Sequence, residues 1–374
     1  NGSSDPNALR TAMQNRRPSN LNGSVYRYDT SSVNAIFSTN FAYRKGAWVL
    51  HQLRWVLGTE RFFDLLARYR QRYAYSHATT ADFQSVAEEV WGDTMDWFFQ
   101  PWVYGTGAPS YAWGWTTASV NNKNYLLLSI RQTQTSSYGL YTMPIGIRAT
   151  IGNQSHDLRL WNSAQTQYYV IPVAGTVSNL AFDPDEWILK GGSTQEAYRP
   201  GPPVIVEMHP APGVVSGSVN QIDLYFQTPV NINAAQVQLE GASRGAVSFG
   251  FAYDADARRV RLIPTEPLKP DAYTVRIDPT VTAVNSGLTL DGEYWGQLPT
   301  GDGVAGGEAR LPLRVLAPNG DVNGDGCTDD ADLLEVLFNF GTQRCHHPAD
   351  VNQDGIVDDA DLLQVLFAFG SECR

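Results

Sequence analysis

Residues 321–341 read DVNGDGCTDDADLLEVLFNFG and residues 350–370 read DVNQDGIVDDADLLQVLFAFG, with sixteen of the twenty-one positions identical. A chain that writes the same acidic loop and apolar run twice must fold both copies alike, and no other stretch constrains the architecture as tightly. Oxygen side chains stand at loop positions 1, 3, 5, 9 and 12: Asp321, Asn323, Asp325, Asp329 and Asp332, then Asp350, Asn352, Asp354, Asp358 and Asp361. Position 6 is glycine in both, Gly326 and Gly355. A hard cation needs six or more converging oxygens, and a twelve-residue loop with a sharp turn at its sixth position supplies them. Position 7 lends only its backbone carbonyl, from Cys327 and Ile356, so those side chains are free to differ. A merely solvated acidic tail would not repeat this spacing ahead of LLxVLFxFG, and the pattern predicts two Ca²⁺ sites, each followed by a helix.

The repeat also explains the charge. Of a net −11, residues 318–374 carry −10, from ten Asp and two Glu against two Arg. The remainder is nearly neutral, which argues against nucleic acid as a partner, because phosphate binding needs clustered Lys and Arg. The hydrophobic fraction of 43% and aromatic content of 11% exclude a disordered chain. No apolar run reaches the roughly 18 residues that span a bilayer. With 374 residues there is room for two to four cores. All three cysteines, Cys327, Cys345 and Cys373, lie in the tail, so one disulfide is possible and one thiol is left over. The first residue is Asn, and no charged and apolar leader precedes it, which reads as a truncation.

The expected fold class is multidomain α + β. Residues 1–111 read as helical: Ala47, Leu50, Leu53 and Leu57 recur at helical spacing, with Gly58 as C-cap and Thr59 as the next N-cap. A further helix follows Thr79 and stops at Gly92, and the aromatic run MDWFFQPWVY is expected to be interrupted at Pro101. From residue 112 the period changes to two, giving a small β-sandwich over 112–192, a linker at 193–203 and an immunoglobulin-like sandwich over 204–317. The duplicated loop-helix unit, a small EF-hand-like α pair, fills 318–374.

Several motifs fail on context. GASRG at 241–245 matches a nucleophile elbow but precedes a strand-like run, so it reads as a hairpin turn. GDGVAG at 301–306 matches a dinucleotide fingerprint without a following helix and reads as a loop. His51 is followed by Gln52, not the Glu of H-E-x-x-H, and that motif occurs nowhere in the chain, so His51 reads as a packed or surface residue.

The tail resembles the dockerin family, whose duplicated loop-helix segments fold on calcium and plug secreted enzymes into cohesin domains of scaffold or surface proteins. Position 12 is Asp rather than the Glu usual in EF-hands, as Asp332 and Asp361. Loop positions 10 and 11 are Asp330-Ala331 and Asp359-Ala360, where the best-known dockerins carry Ser or Thr as partner contacts. The resemblance therefore implies calcium folding, an extracellular, secreted or surface-attached protein, and a cohesin-like or cell-surface partner whose recognition differs from the usual one.

The segment Tyr43-Arg44-Lys45-Gly46, then Leu57-Gly58, Thr79-Thr80-Ala81-Asp82-Phe83, and Trp102 with Gly107 and Pro109, resembles in order the part of the aminopeptidase N (membrane alanine aminopeptidase) family of gluzincin metallopeptidases that lies downstream of the zinc ligands. MPIGIRA at 143–149 and FDPDEWILK at 182–190 look like that family's small β domain. The resemblance implies a catalytic role for Tyr43, whose phenol would donate to the oxyanion of the attacked carbonyl. A phenol keeps its proton at neutral pH and can donate without being re-protonated. The family's zinc ligands and base lie upstream of this region, and none is present here. The chain is thus expected to be the C-terminal portion of a secreted bacterial zinc aminopeptidase acting on peptide N-termini, inactive alone, with Zn²⁺ only in the intact parent. The rival reading is a non-catalytic surface or scaffold-attached protein of β modules with a docking tail. A carbohydrate-active enzyme lacks a paired-carboxylate constellation outside the calcium loops.

Overall fold

The computed structural model describes residues 6–216, 219–316, 320–325, 327–343, 347–352 and 354–370. Gly326, Cys345, His346 and Cys373 lie outside them. The chain divides into two units, the first comprising 1–117, 126–169 and 173–199, the second 118–125, 170–172 and 200–374.

The first unit begins with helices. These are α1 (Pro6–Asn15), α2 (Val33–Ile36), a π-helical turn (Thr39–Lys45), α3 (Gly46–Leu57), α4 (Thr59–Tyr73), α5 (Thr80–Trp91) and α6 (Asp96–Phe99), which runs into a second π-helical turn (Gln100–Tyr104). Gly58, at φ 83°, ends α3 and itself holds the N-cap position of α4, so Thr59 is the first helical residue instead of the cap. Thr79 caps α5 through a reciprocal pair of bonds with Asp82, and left-handed Gly92 ends it. Pro101 does not interrupt the aromatic helix. The helix widens around the missing N–H, and the Gly105 N–H donates back five residues to the Gln100 carbonyl at 2.7 Å. Trp48, Leu53, Leu65, Phe98, Phe99 and Trp102 are fully or almost fully buried and form the core of these helices.

Seven strands follow: β1 (Ser110–Val120), β2 (Lys123–Gln132), β3 (Met143–Ile151), β4 (Gln154–Asn162), β5 (Thr166–Val173), β6 (Val177–Phe182) and β7 (Gly192–Gln195). They form one sheet in the order β5-β2-β1-β7 and another in the order β4-β3-β6. Strand β7 lies in a stretch whose Gly and Ser content reads as linker, yet it pairs in parallel with β1, Ser110 opposite Gly192 through Trp113 opposite Gln195. Its side chains are exposed, so the pairing rests on backbone hydrogen bonds and leaves no hydrophobic signature.

In the second unit, strands β8 (Ile205–His209), β10 (Ile222–Phe226), β14 (Phe249–Asp254) and β15 (Arg259–Pro264) form a sheet in the order β14-β15-β10-β8. Strands β9 (Gly213–Ser216), β12 (Val237–Gly241), β13 (Gly245–Ala246), β16 (Asp271–Ile277) and β18 (Ala309–Leu316) form another in the order β13-β12-β16-β18-β9. The short β11 (Val230–Asn231) and β17 (Thr282–Ala283) pair with each other. The strict alternation of β16, with Tyr273, Val275 and Ile277 inward, feeds a core that includes Ile222, Leu224, Phe226, Leu262 and Leu311. Gly241 pairs with Gly245, so GASRG is a hairpin turn, and GDGVAG is a loop without a following helix.

The repeat ends in α7 (Asp330–Phe338) and α8 (Asp359–Phe367). Their shared core is small: Val322, Val336, Ala349, Val357 and Val365 are buried, with Leu333, Val351 and Leu362 packed against them. Five buried side chains supply little burial energy, and folds of this size lean on disulfides or metals. Cys327 is disulfide-bonded.

Candidate functional site

Tyr43 lies in the π-helical turn before α3. Ser38 caps that turn by accepting from the Phe41 N–H, and the Gly46 N–H donates to the Phe41 and Tyr43 carbonyls. The turn is fastened by Lys45, whose wholly buried ammonium donates to the Gly23 carbonyl at 2.8 Å and the Gly105 carbonyl at 3.2 Å. Burial pushes the Lys45 amine down to about 8. Tyr43 itself is 58% exposed and borders a cavity of about 560 Å³ lined also by Leu50, Leu53, Tyr69, Phe83 and Phe99. That lining contains hydroxyls and apolar surface but no imidazole or carboxylate.

His51 does not line that cavity. It stacks on Trp187 with ring centres 4.5 Å apart, meets Trp48 edge-on at 5.6 Å, and its Nε2 lies 3.3 Å from the Glu186 carbonyl. Burial pushes its imidazole down to about 4, so it is neutral at physiological pH. Its neighbour Gln52, also buried, accepts from the Leu189 N–H at 2.6 Å, and Trp55 also stacks on Trp187, at 4.9 Å. The three residues where H-E-x-x-H fails are thus a docking face for the 182–190 segment. That segment is rigidified in turn by buried Asp183, which accepts from Trp187 N–H and pairs with Lys190 at 2.6 Å.

In the repeat, the carboxylates at positions 1 and 12 are almost wholly buried, Asp321 at 3%, Asp332 at 0%, Asp350 at 2% and Asp361 at 0% exposure. Asp332 accepts from Asn323 and Asp329 N–H groups at 2.8 and 2.9 Å, and Asp361 accepts from those of Asn352 and Asp358 at the same distances. Positions 3 and 5 close local turns: Asn323 accepts from the Asp325 N–H, Asn352 from the Asp354 N–H, and Asp325 and Asp354 from the N–H groups of Cys327 and Ile356. Asp329 and Asp358 cap α7 and α8. The two copies differ at position 1. Asp321 Oδ1 accepts from Gly324 and Asp325 N–H groups, whereas Asp350 accepts at Oδ2 from the Gly355 N–H at 3.0 Å, and its buried Oδ1 has no partner among the described residues. A buried, unpartnered carboxylate oxygen costs free energy unless something positive meets it. The all-oxygen donor set and this orphaned atom fit a hard cation.

Beyond the loops, each tail helix exposes an apolar stripe, Leu334, Leu337 and Phe338 on α7 and Leu363, Leu366 and Phe367 on α8. Phe338 is 80% and Phe367 87% exposed, and Asp330, Ala331, Asp359 and Ala360 are exposed beside them.

One cluster had no sequence signal. Among the described residues, the group of three acidic side chains whose ligand atoms all lie within 4.8 Å of one another is Asp291, Glu293 and Asp302. Asp291 accepts from the Asp302 and Gly303 N–H groups, and burial pushes its carboxyl up to about 8. Asp302 is the second residue of GDGVAG, a motif that fails as a fingerprint and so draws attention away from its aspartate, while Asp291 and Glu293 stand upstream of it.

Comparison with known proteins identifies the helical segment. Residues 7–102 match the Peptidase family M1 domain, and residues 200–295 match a Bacterial Ig-like domain. Aminopeptidase M1-D of Oryza sativa subsp. japonica is 33% identical over 137 residues, 35% of this chain and 14% of that protein. Aminopeptidase M1-C of the same species is 36% identical over 135 residues, with the same shares. A crystal structure of Legionella pneumophila aminopeptidase A in complex with aspartic acid aligns with 14% identity and a TM-score of 0.40, covering 48% of this chain and 21% of that one. The helical segment is related to the M1 aminopeptidases, and the matched part spans 14% of the length of each of these two rice relatives.

Proposed function

We propose that this chain is the C-terminal portion of a secreted bacterial zinc aminopeptidase, joined to a calcium-folded docking tail. The observation that carries the peptidase part is the M1 match over residues 7–102, with Tyr43 inside it, solvent-exposed, and fastened in place through Lys45. Residues 1–111 would complete a peptidase catalytic domain, 112–192 would be its small β domain, 193–203 a connection, 204–317 an Ig-like spacer and 318–374 the docking module. Among the described residues, no imidazole belongs to a cluster of metal-ligating side chains. No H-E-x-x-H exists, and the one imidazole on α3 is buried against Trp187. No catalytic step is assigned to this chain except that of Tyr43, whose O–H would donate to the oxyanion formed at the attacked carbonyl. Removing one such donor costs on the order of a hundredfold or more in rate.

Calcium in the tail would be held by Asp321, Asn323, Asp325, Asp329 and Asp332 with the Cys327 carbonyl, and by Asp350, Asn352, Asp354, Asp358 and Asp361 with the Ile356 carbonyl. When bound it would neutralise the buried carboxylates and close each loop onto its helix. The exposed stripes on α7 and α8, rimmed by acidic residues, suit an apolar partner surface with a basic rim, such as a cohesin-like domain of a scaffold or cell-surface protein.

The gene product that includes the upstream region tests the peptidase reading. It should bind zinc stoichiometrically and release aminoacyl arylamide product, and Tyr43→Phe should lower kcat by about a hundredfold with zinc content unchanged. A product without stoichiometric zinc or hydrolysis would make the chain a non-catalytic assembly of β modules and docking tail.

A further inference from the structure

We propose that the Asn323–Gly324 bond in the first calcium loop is a calcium-gated deamidation site, which ages one loop of the pair and spares the other. The inference rests on the calcium reading of the tail. The two loops are nearly identical, yet residue 4 is Gly324 in the first and Gln353 in the second. Deamidation begins when the backbone nitrogen of the following residue attacks the Asn side-chain carbon. A glycine, having no side chain, leaves that nitrogen open.

In the folded loop both reacting groups are restrained. The Asn323 side-chain oxygen accepts from the Asp325 N–H at 2.8 Å, and the Gly324 N–H donates to Asp321 Oδ1 at 2.7 Å. The acceptor for Gly324 and the Asn323 oxygen are the groups assigned to loop positions 1 and 3, so calcium would hold the same atoms. Opening of the calcium-free loop releases them. The Gly324 nitrogen then loses its proton and forms a bond to Asn323 Cγ, and the Cγ–Nδ2 bond breaks to expel ammonia. Solvent water adds to either carbonyl of the resulting succinimide, giving isoaspartate or aspartate. Isoaspartate inserts one extra carbon into the main chain at position 3 and displaces the position-1 and position-5 ligands relative to each other. The first loop then loses its site while the second, with Asn352–Gln353, keeps its own.

The test is a time course on the full chain at mildly alkaline pH, in excess calcium or in EGTA, followed by digestion and mass spectrometry that separates isoaspartyl peptides and resolves Asn323 from Asn319. If reaction requires opening, calcium at about a hundred times its Kd should slow it about a hundredfold. Asn352 should be slow in both buffers. Asn22–Gly23 in the first unit should react at a rate that calcium does not change. Gly324 adopts φ 70°, and a side chain there would meet Pro270 Cδ at 2.6 Å, so substitution at this position disturbs the loop. The informative variant is Gln353→Gly, which should transfer calcium-gated deamidation to Asn352. Aged protein should titrate with one calcium where fresh protein takes two. Two calcium ions bound by calorimetry with equal Asn323 rates in both buffers would overturn this inference alone. Absence of calcium uptake by fresh protein would overturn the calcium reading, and this inference with it.

Discussion

Asp350→Asn should change sign with calcium. In the wild type the Asp350 carboxylate is 2% exposed, one oxygen accepts from Gly355 N–H, and the other has no partner among the described residues. Without calcium that oxygen is a buried acceptor left unsatisfied, at a cost of about 1–3 kcal/mol. The Asn side chain can keep the bond from Gly355 through its carbonyl and puts an NH₂ where the unpartnered oxygen stood. It removes the buried charge as well. In EGTA the variant should therefore be more stable than the wild type by about 1–3 kcal/mol. With calcium at about a hundred times Kd, binding contributes roughly 2.7 kcal/mol to the wild type. The variant, missing a charged ligand, should lose most of that increment. Because the chain has more than one folding unit, a single melting temperature is the wrong measure. Hydrogen exchange in α8, read by mass spectrometry of peptides spanning 358–367, isolates the second loop. Protection should rise on mutation in EGTA, fall in calcium, and remain calcium-responsive in α7. A variant less protected than wild type by the same amount in both buffers would show that Asp350 is an ordinary turn residue, and the calcium assignment of this loop would fail.

The first unit should lose stability in acid through His51. Its folded value near 4 against an ordinary 6.5 means that the unfolded chain takes up the proton first as pH falls. Stability is intact above 6.5, declines between 6.5 and 4, and is lower by about 3 kcal/mol below that. Urea titrations followed by Trp fluorescence should show the decline, and His51→Phe should flatten it. Phe338→Ser with Phe367→Ser should leave calcium affinity and α7/α8 exchange within about 0.5 kcal/mol of wild type, since both rings are exposed. Capture of a cohesin-like partner by surface plasmon resonance should be lost, and unchanged capture would move docking off these helices. Gly107→Ala should destabilise the first unit by at least 1–3 kcal/mol, because φ is 87° and the new Cβ would lie 2.4 Å from the Tyr138 ring. Thermal unfolding of the variant checks this.

The elements that punctuation residues delimit are legible in the chain. Gly58, Thr79 and Gly92 each end or start a helix because backbone conformation and orphan N–H groups leave few other choices there. Period-two segments such as β16 declare themselves for the same local reason. What sequence reading misses is set by partners far along the chain. The π-helical turn that carries Tyr43 is held by Lys45 reaching residues 22 and 60 positions away, and nothing local in TNFAYRK specifies it. Strand β7 joins its sheet through backbone alone, and the buried Gln52 finds its acceptor role only when Leu189 arrives. The site follows the same division. The loop spacing of the repeat is written in consecutive residues and can be read directly, whereas the Asp291, Glu293 and Asp302 cluster depends on two separate segments meeting. Tyr43 stands between these cases. Its position in the chain is legible, but the phenol's use in catalysis needs a metal or carboxylate partner, and the lining of its cavity supplies neither.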